Sequence, residues 1–166
     1  MSSQTPIPIV VLAFNKHAMT QRCLDSIQQH TRHPHRIILV DNGSAPAFEP
    51  STQYDLVRLE TNLYFTGGIN AGIRYALREH HAFDHIVLLN NDVTVTSGWL
   101  EALVGAVRDC VGVVGNKQYL EGQSDTIIHA GTADLIQGVH KGGPDNGTFD
   151  AQTREVWITF ACALIT

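Results

Sequence analysis

Three apolar runs in this chain each end directly on residues whose side chains carry an oxygen. Ile7–Phe14 runs into Asn15, Arg36–Val40 into Asp41, and His85–Leu89 into Asn90-Asn91-Asp92. A short apolar run without alternation suits a strand covered on both faces, as in a parallel sheet between layers of helix. The segments between the runs have helical period. His17 to Gln29 puts Leu24 and Ile27 on one side, and from Gly68 onward Ile69, Ile73, Ala76 and Leu77 follow an i, i+4, i+7, i+8 pattern. Leu56–Leu59 and Val111–Val114 add weaker strands, and Ser97 is placed as the N-cap of a helix carrying Trp99, Leu100, Leu103, Val104 and Val107. This alternation predicts right-handed βαβ units and an α/β fold with a mostly parallel central sheet flanked by helices. After about Tyr119 the rhythm changes. Thr126–Ile128 and Ala133–Ile136 read as hairpin strands, Gly138 to Gly147 as a glycine-rich loop, and Val156–Ile165 as a strand again.

Composition narrows the partners. The chain has 166 residues, the size of one domain, with 43% hydrophobic and 16% charged residues. Its formal net charge of −5 comes without a Lys/Arg cluster, which argues against nucleic acid, since binding a phosphate backbone needs a basic face. A single nucleotide is a different matter, because a metal ion and backbone amides can neutralise its phosphates. Cys23, Cys110 and Cys162 are scattered and form no CxxC, which fits a reducing, cytoplasmic setting. The early apolar run is too short to span a bilayer and lacks the flanks of a secretory signal. Asn42-Gly43-Ser44 and Asn146-Gly147-Thr148 read as Asn-Gly turns.

In an open parallel sheet, ligands bind beyond the carboxyl ends of the strands, where strand order reverses. Asn15, Asp41 and Asp92 are therefore expected on one rim. Mg2+ typically takes one or two protein oxygens and leaves the rest to phosphate and water, so Asp92, with the Asn90 amide two residues earlier, could hold such an ion against a diphosphate. Gly67-Gly68-x-x-x-Gly72 is no P-loop, because no Lys-Ser/Thr follows, and its spacing is wrong for a dinucleotide fingerprint. Two readings stay open: an anion site at a helix N-terminus, or glycines that permit close packing. The histidines of His30-x-x-His33-x-His35 and His80-His81-x-x-x-His85 lack the context of a zinc pattern and read as solvated surface residues. No G-x-S-x-G stands at a strand-to-helix turn, which disfavours a serine hydrolase.

These residues match a family. Ile9-Val10-Val11-Leu12-Ala13-Phe14-Asn15-Lys16, Cys23-Leu24-Asp25-Ser26-Ile27 and Ile38-Leu39-Val40-Asp41-Asn42-Gly43-Ser44 resemble the opening of family 2 glycosyltransferases. Asn62 to Ile73 is similar to that family's glycine-rich segment, and Leu88-Leu89-Asn90-Asn91-Asp92-Val93 with Trp99-Leu100 to its metal motif and following helix. Val113-Val114-Gly115 and His129-Ala130-Gly131 resemble a bacterial subgroup that includes rhamnosyltransferases of envelope polysaccharides. The resemblance covers most of the chain, with the motifs in the family's order.

The resemblance implies a GT-A fold with a Rossmann-like N-terminal half. It also implies an inverting transfer from a nucleotide-diphosphate sugar to a saccharide or lipid-linked acceptor, which would bring peripheral membrane association. By the same analogy Asp41 would hydrogen-bond the nucleobase and Phe14 and Asn15 would line its pocket. Gly68, Asn70 and Asn91 would sit at the nucleotide, and Asp92 would ligate Mg2+ or Mn2+. Asn90 stands where many relatives have the first acid of a D-x-D, so its place as a second ligand departs from the family's pattern. The expected division is a single domain, with a donor-binding part over about 1–118 and the start of an acceptor-side part over about 119–166.

The family's base lies in an acidic motif beyond the segment resembling Ala161-Cys162-Ala163-Leu164-Ile165. Here that segment runs straight into Thr166, the last residue, so the catalytic base is expected beyond Thr166 and no residue of this chain is assigned to it. The expectation is a C-terminally truncated fragment that binds donor but transfers poorly. A degenerate GT-A binding module without transferase activity is the alternative. A nucleotidyltransferase ranks last, because Asn15-Lys16-His17 replaces the glycine-rich loop it would need after the first strand.

Overall fold

A computed structural model of the protein describes residues 5–80, 82–130, 143–145, 147 and 161–166. The expected strand at Ala133–Ile136, most of the Gly138–Gly147 loop and the first part of Val156–Ile165 lie outside these residues. The N-terminal half runs β1 (Ile7–Ala13), α1 (His17–His30), β2 (His35–Asn42), β3 (Asp55–Leu59), α2 (Tyr64–Glu79) and β4 (Ile86–Asn90). Then follow α3 (Trp99–Gly105), β5 (Val113–Gly115), β6 (Gln118–Leu120), β7 (Gln123–His129), β8 (Gly143–Pro144) and β9 (Cys162–Ile165).

The main sheet has the order β3-β2-β1-β4-β9-β5. β3, β2, β1 and β4 are mutually parallel, while β9 is antiparallel to both β4 and β5. The sheet is thus mostly parallel, as the unalternated apolar runs require. Val11, Ala13, Leu39 and Leu89 enter a core with Leu24 and Ile27 of α1 and Leu100 and Leu103 of α3. Val10, Ile38, Val40 and Leu88 face the other way, against Ile69 and Ala76 of α2. A smaller sheet of order β6-β7-β8 begins at Gln118. No helix among the described residues is long and apolar enough to cross a membrane.

Two boundaries differ from the sequence expectation. α2 opens at Tyr64 rather than Gly68, so the glycines lie inside the helix, with Gly68 and Gly72 on the side facing the sheet. A Cβ on Gly68 would stand 2.4 Å from Leu12 Cδ1, and one on Gly72 2.4 Å from Val10 Cγ1 and 2.9 Å from Val40 Cγ2. Of the two readings left open for this segment, the packing role is the one the contacts carry. α3 is capped by Gly98 at φ 81, not by Ser97, whose hydroxyl lies 3.2 Å from His30 Nδ1. It ends at Gly105, short of Val107.

A methyl group at Gly72 has nowhere to go between two buried strands. Gly72→Ala is expected to destabilise the fold by about 1–3 kcal/mol. Gly105→Ala, where nothing lies within 4 Å, should leave the urea midpoint nearly unchanged. Equilibrium denaturation of both variants checks the pair.

Candidate functional site

β1, β2 and β4 all end on one edge of the sheet. Ala13 pairs with Asp41, and Leu12 pairs with Asn90. Asp41 and Asn90 therefore flank β1 from opposite sides, about 10 Å apart at two interstrand steps. The chain builds β2 and β3 on one side of β1 and then crosses back to β4 on the other. The crevice between β1 and β4 is the point where strand order reverses, the place at which such sheets bind ligands. Phe14 and Asn15 form one lip of it, and Asn91 and Asp92 the other.

The β2 lip is built on a carboxylate. The Asp41 side chain is fully buried. Its Oδ1 accepts the Ser44 N–H at 2.9 Å, while Oδ2 accepts the Phe48 N–H at 2.9 Å and Arg58 Nη1 at 2.6 Å. Burial pushes the Asp41 carboxyl up, but the hydrogen bonds from Ser44, Phe48 and Arg58 outweigh it and hold the group below its ordinary pKa. Asn15 completes the loop from the β1 side. Its N–H donates to Ser44 Oγ at 2.8 Å, and its Oδ1 accepts the Ala45 N–H at 2.9 Å. Asn15 and Lys16 both take left-handed backbone, at φ 55 and 53, which an asparagine tolerates better than most residues. Phe48, fixed by Asp41, stacks on His17 with ring centroids 4.1 Å apart. Both Asp41 oxygens are engaged by protein donors, and these bonds shape the loop over residues 43–48.

The β4 lip is tied to α1 by buried hydroxyls that the sequence reading missed. Asn91 Nδ2 donates to Thr20 Oγ1 at 2.8 Å, the Val95 N–H to Ser26 Oγ at 3.1 Å, and Trp99 Nε1 to Thr31 Oγ1 at 2.9 Å. Thr20, Ser26 and Thr31 are all buried. Polar residues on the core side of α1 were the available signal. Asn90 is half-buried, with its main chain bonded to Ala161 and Val93, and Asp92 is exposed on the turn that follows.

α2 starts at the same rim. Buried Asn42 donates from Nδ2 to Asn62 Oδ1 at 2.9 Å and to the Tyr64 carbonyl at 3.0 Å, and its Oδ1 accepts the Leu63 N–H at 2.9 Å. Gly68 is buried under this turn against Leu12 and Asn42. Asn70 is exposed on the second turn of α2. Away from the rim, His80 is not merely solvated. Its Nε2 lies 3.0 Å from Asp55 Oδ2, and Arg36 grips the same carboxylate with two N–H groups.

Thr166, the residue beyond which the base is expected, is not brought to the rim. β9 runs antiparallel to β4, with Cys162 opposite Leu89 and Ile165 opposite Ile86, so Thr166 lies past the start of β4, at the opposite edge of the sheet. There its N–H donates to the Gly112 carbonyl at 3.2 Å and its hydroxyl to the Val111 carbonyl at 2.7 Å. Thr166 therefore serves as a clasp between β9 and the approach to β5, and takes no part in the site.

The glycosyl transferase family 2 model matches residues 9–161. The chain belongs to that family. The solved structures similar to this family 2 chain include a mannosyltransferase from Pyrobaculum calidifontis in complex with GDP-Man and Mn2+. It is 18% identical with a TM-score of 0.52, over 70% of this chain and 37% of that one. S. aureus TarS (residues 1–349) is 14% identical with a TM-score of 0.46, over 75% of this chain and 41% of that one. The first likeness establishes the GT-A fold alone. The family 2 chain spans less than half the length of either structure. No curated protein matches it.

Among the described residues no group of three or more His, Cys, Asp or Glu could hold a metal ion. A lone exposed carboxylate with a neighbouring amide does not suit a zinc cage. It does suit a hard cation whose remaining ligands are phosphate and water.

Asp41→Ala would strand two buried N–H groups and the Arg58 guanidinium. A loss of about 3 kcal/mol is expected at neutral pH. Because the folded carboxyl sits below its unfolded pKa, its stabilisation is complete above roughly pH 4 and is lost as pH falls through the folded value. Urea denaturation of wild type and variant should therefore show their gap closing on acidification.

Proposed function

We propose that the chain is the donor-binding part of an inverting glycosyltransferase that moves a sugar from a nucleotide-diphosphate carrier to a saccharide or lipid-linked acceptor. The observation that carries this reading is Asp92. It is exposed on the turn that follows β4, which is anchored through Thr20 and Ser26 of α1. Phe14 and Asn15 line the base side of the donor, and Asn70 and the Asn91 amide face its diphosphate side. Asp41 acts from beneath, through the loop it holds, and Gly68 by letting α2 lie close to the rim.

In this reading Asp92, assisted by Asn90, holds Mg2+ or Mn2+. When bound, such a cation neutralises the charge that builds on the departing diphosphate. The positive end of α2 points at the same edge and favours the same anion. Residues up to about 118 form the donor side, and the small sheet from Gln118 begins the acceptor side. The segments at Val113-Val114-Gly115 and His129-Ala130-Gly131 favour a rhamnosyltransferase-like role in cell-envelope polysaccharides. A lipid-linked acceptor would put the protein at the inner face of the cell membrane.

Asn90, an amide where an acid would bind a cation better, favours a second reading: a degenerate module that keeps the fold without the chemistry. Binding separates the two more cleanly than turnover. Calorimetry with UDP, GDP, CDP and dTDP should find at least one that binds about tenfold or more tightly with Mn2+ present. Asp92→Ala should erase that enhancement without moving the thermal midpoint. Equal nucleotide affinity in wild type and Asp92→Ala would favour the degenerate module.

A further inference from the structure

Between α3 and the chain leaving β5 lies a cavity of about 240 Å³. β4 and β5 are both antiparallel to β9, and Leu88 and Gly115 both face Ala163. β5 therefore ends on the same edge of the sheet as β4, two strands further on. Val114 enters the core beneath α3, and alternation along the strand sends Asn116 to the same face. One side of the cavity is apolar, made by Trp99, Ala102, Leu103, Ala106 and Val114. The small side chains of Ala102 and Ala106, one turn apart, leave the room. Trp99 is held by its indole N–H, which donates to Thr31 Oγ1 at 2.9 Å, so the ring has only carbon to offer the cavity. The other side carries Thr96, Asn116 and Lys117. Here one atom lacks its due. Among the described residues Asn116 Oδ1 is shut off from solvent and accepts no hydrogen bond, although a buried carbonyl oxygen almost always has a donor.

We propose that this cavity is a saccharide site that seats one sugar ring against Trp99, with a ring hydroxyl donating to Asn116 Oδ1. A pyranose has the two-sided chemistry of the cavity: a C–H face to lie on carbon, and hydroxyls at its edge that donate and accept. The volume equals that of about eight waters, too small for a nucleotide and enough for a single ring. A filling of water would face mostly carbon, while each ordered water needs several polar partners. An anion is disfavoured, because the Lys117 amine already lies 2.9 Å from Asp145 Oδ2 and the unpaired atom is itself an acceptor. The site stands apart from the β1–β4 crevice and rests on none of the roles proposed for the rim. A unit bound there does not react. It holds the saccharide to which it belongs.

The test is an NMR titration of the whole chain, read at the Trp99 indole N–H signal. The probes are D-glucose, D-galactose, D-mannose, L-rhamnose and N-acetylglucosamine. At least one should bind at millimolar concentration and move that signal. Asn116→Ala should weaken the binding about tenfold, the loss of one hydrogen bond. Ala106→Leu fills the cavity and should abolish binding, with the fold checked by the remaining amide signals. Gly105→Ala, where nothing lies within 4 Å, should bind as wild type. A wild type that binds none of the sugars, or binding that survives in Ala106→Leu, would overturn the site. Cyclohexanol, a six-membered ring with one hydroxyl, should bind more weakly than the best sugar, and tighter binding would overturn the saccharide assignment. Calorimetry of Asn116→Ala with Mn2+ and a nucleoside diphosphate should match wild type. A fall in nucleotide affinity would place Asn116 at the crevice and overturn a separate site, whereas a wild type that binds no nucleotide leaves the sugar titrations to decide.

Discussion

The Asp41 carboxylate lies at the end of a central strand with no exposed edge, and it stays ionised because three donors converge on it. Ser44 and Phe48 give backbone N–H groups, and Arg58 reaches in from β3. A buried charge is tolerable only when paired and hydrogen-bonded, so this cluster leaves the β2 exit loop little choice of path. Asn15 then joins the β1 exit to the same loop through Ser44 and Ala45. Two crossover turns that could each wander are thereby locked to one another, and the rim gains a fixed floor.

The other side of the crevice uses neutral groups for the same purpose. Thr20 and Ser26 on the buried side of α1, and Thr31 just past its end, bond the segment from Asn91 to Trp99 at successive points. Each bond satisfies a group that would otherwise be buried unpaired, and together they fix where Asp92 stands. The structure so commits its buried polar groups to the backbone of the rim, while Asp92, Asn70 and Phe14 stay exposed there.

α2 links the halves. Its small residues Gly68, Gly72 and Ala76 let the helix lie against β1 and β2, and Asn42 secures its first turn. Close approach of helix to sheet is what brings the α2 start within reach of the β1 lip. A longer side chain in the row would hold the helix off and open the rim. The packing of glycines and the shape of the site are one feature at two depths.

The sequence by itself determined the layered fold and the rim. Unalternated runs such as Ile7–Phe14 can be buried only on both faces, and strands alternating with helices of that length must run parallel. Polar residues directly after such runs have to meet at one edge, which gathers Asn15, Asp41 and the Asn90–Asp92 turn on one rim. Tertiary structure decided which of them face outward. Nothing local in Val40-Asp41-Asn42 says that Arg58, Ser44 and Phe48 will consume the carboxylate, because those partners arrive only when loop and sheet close. Nor does chain order place Cys162–Ile165 between β4 and β5, where Leu164 meets Val87 and Val114 and Thr166 is carried to the edge away from the rim. Strand insertion, like the loss of Asp41 to the interior, depends on long-range pairing that a linear pattern does not encode.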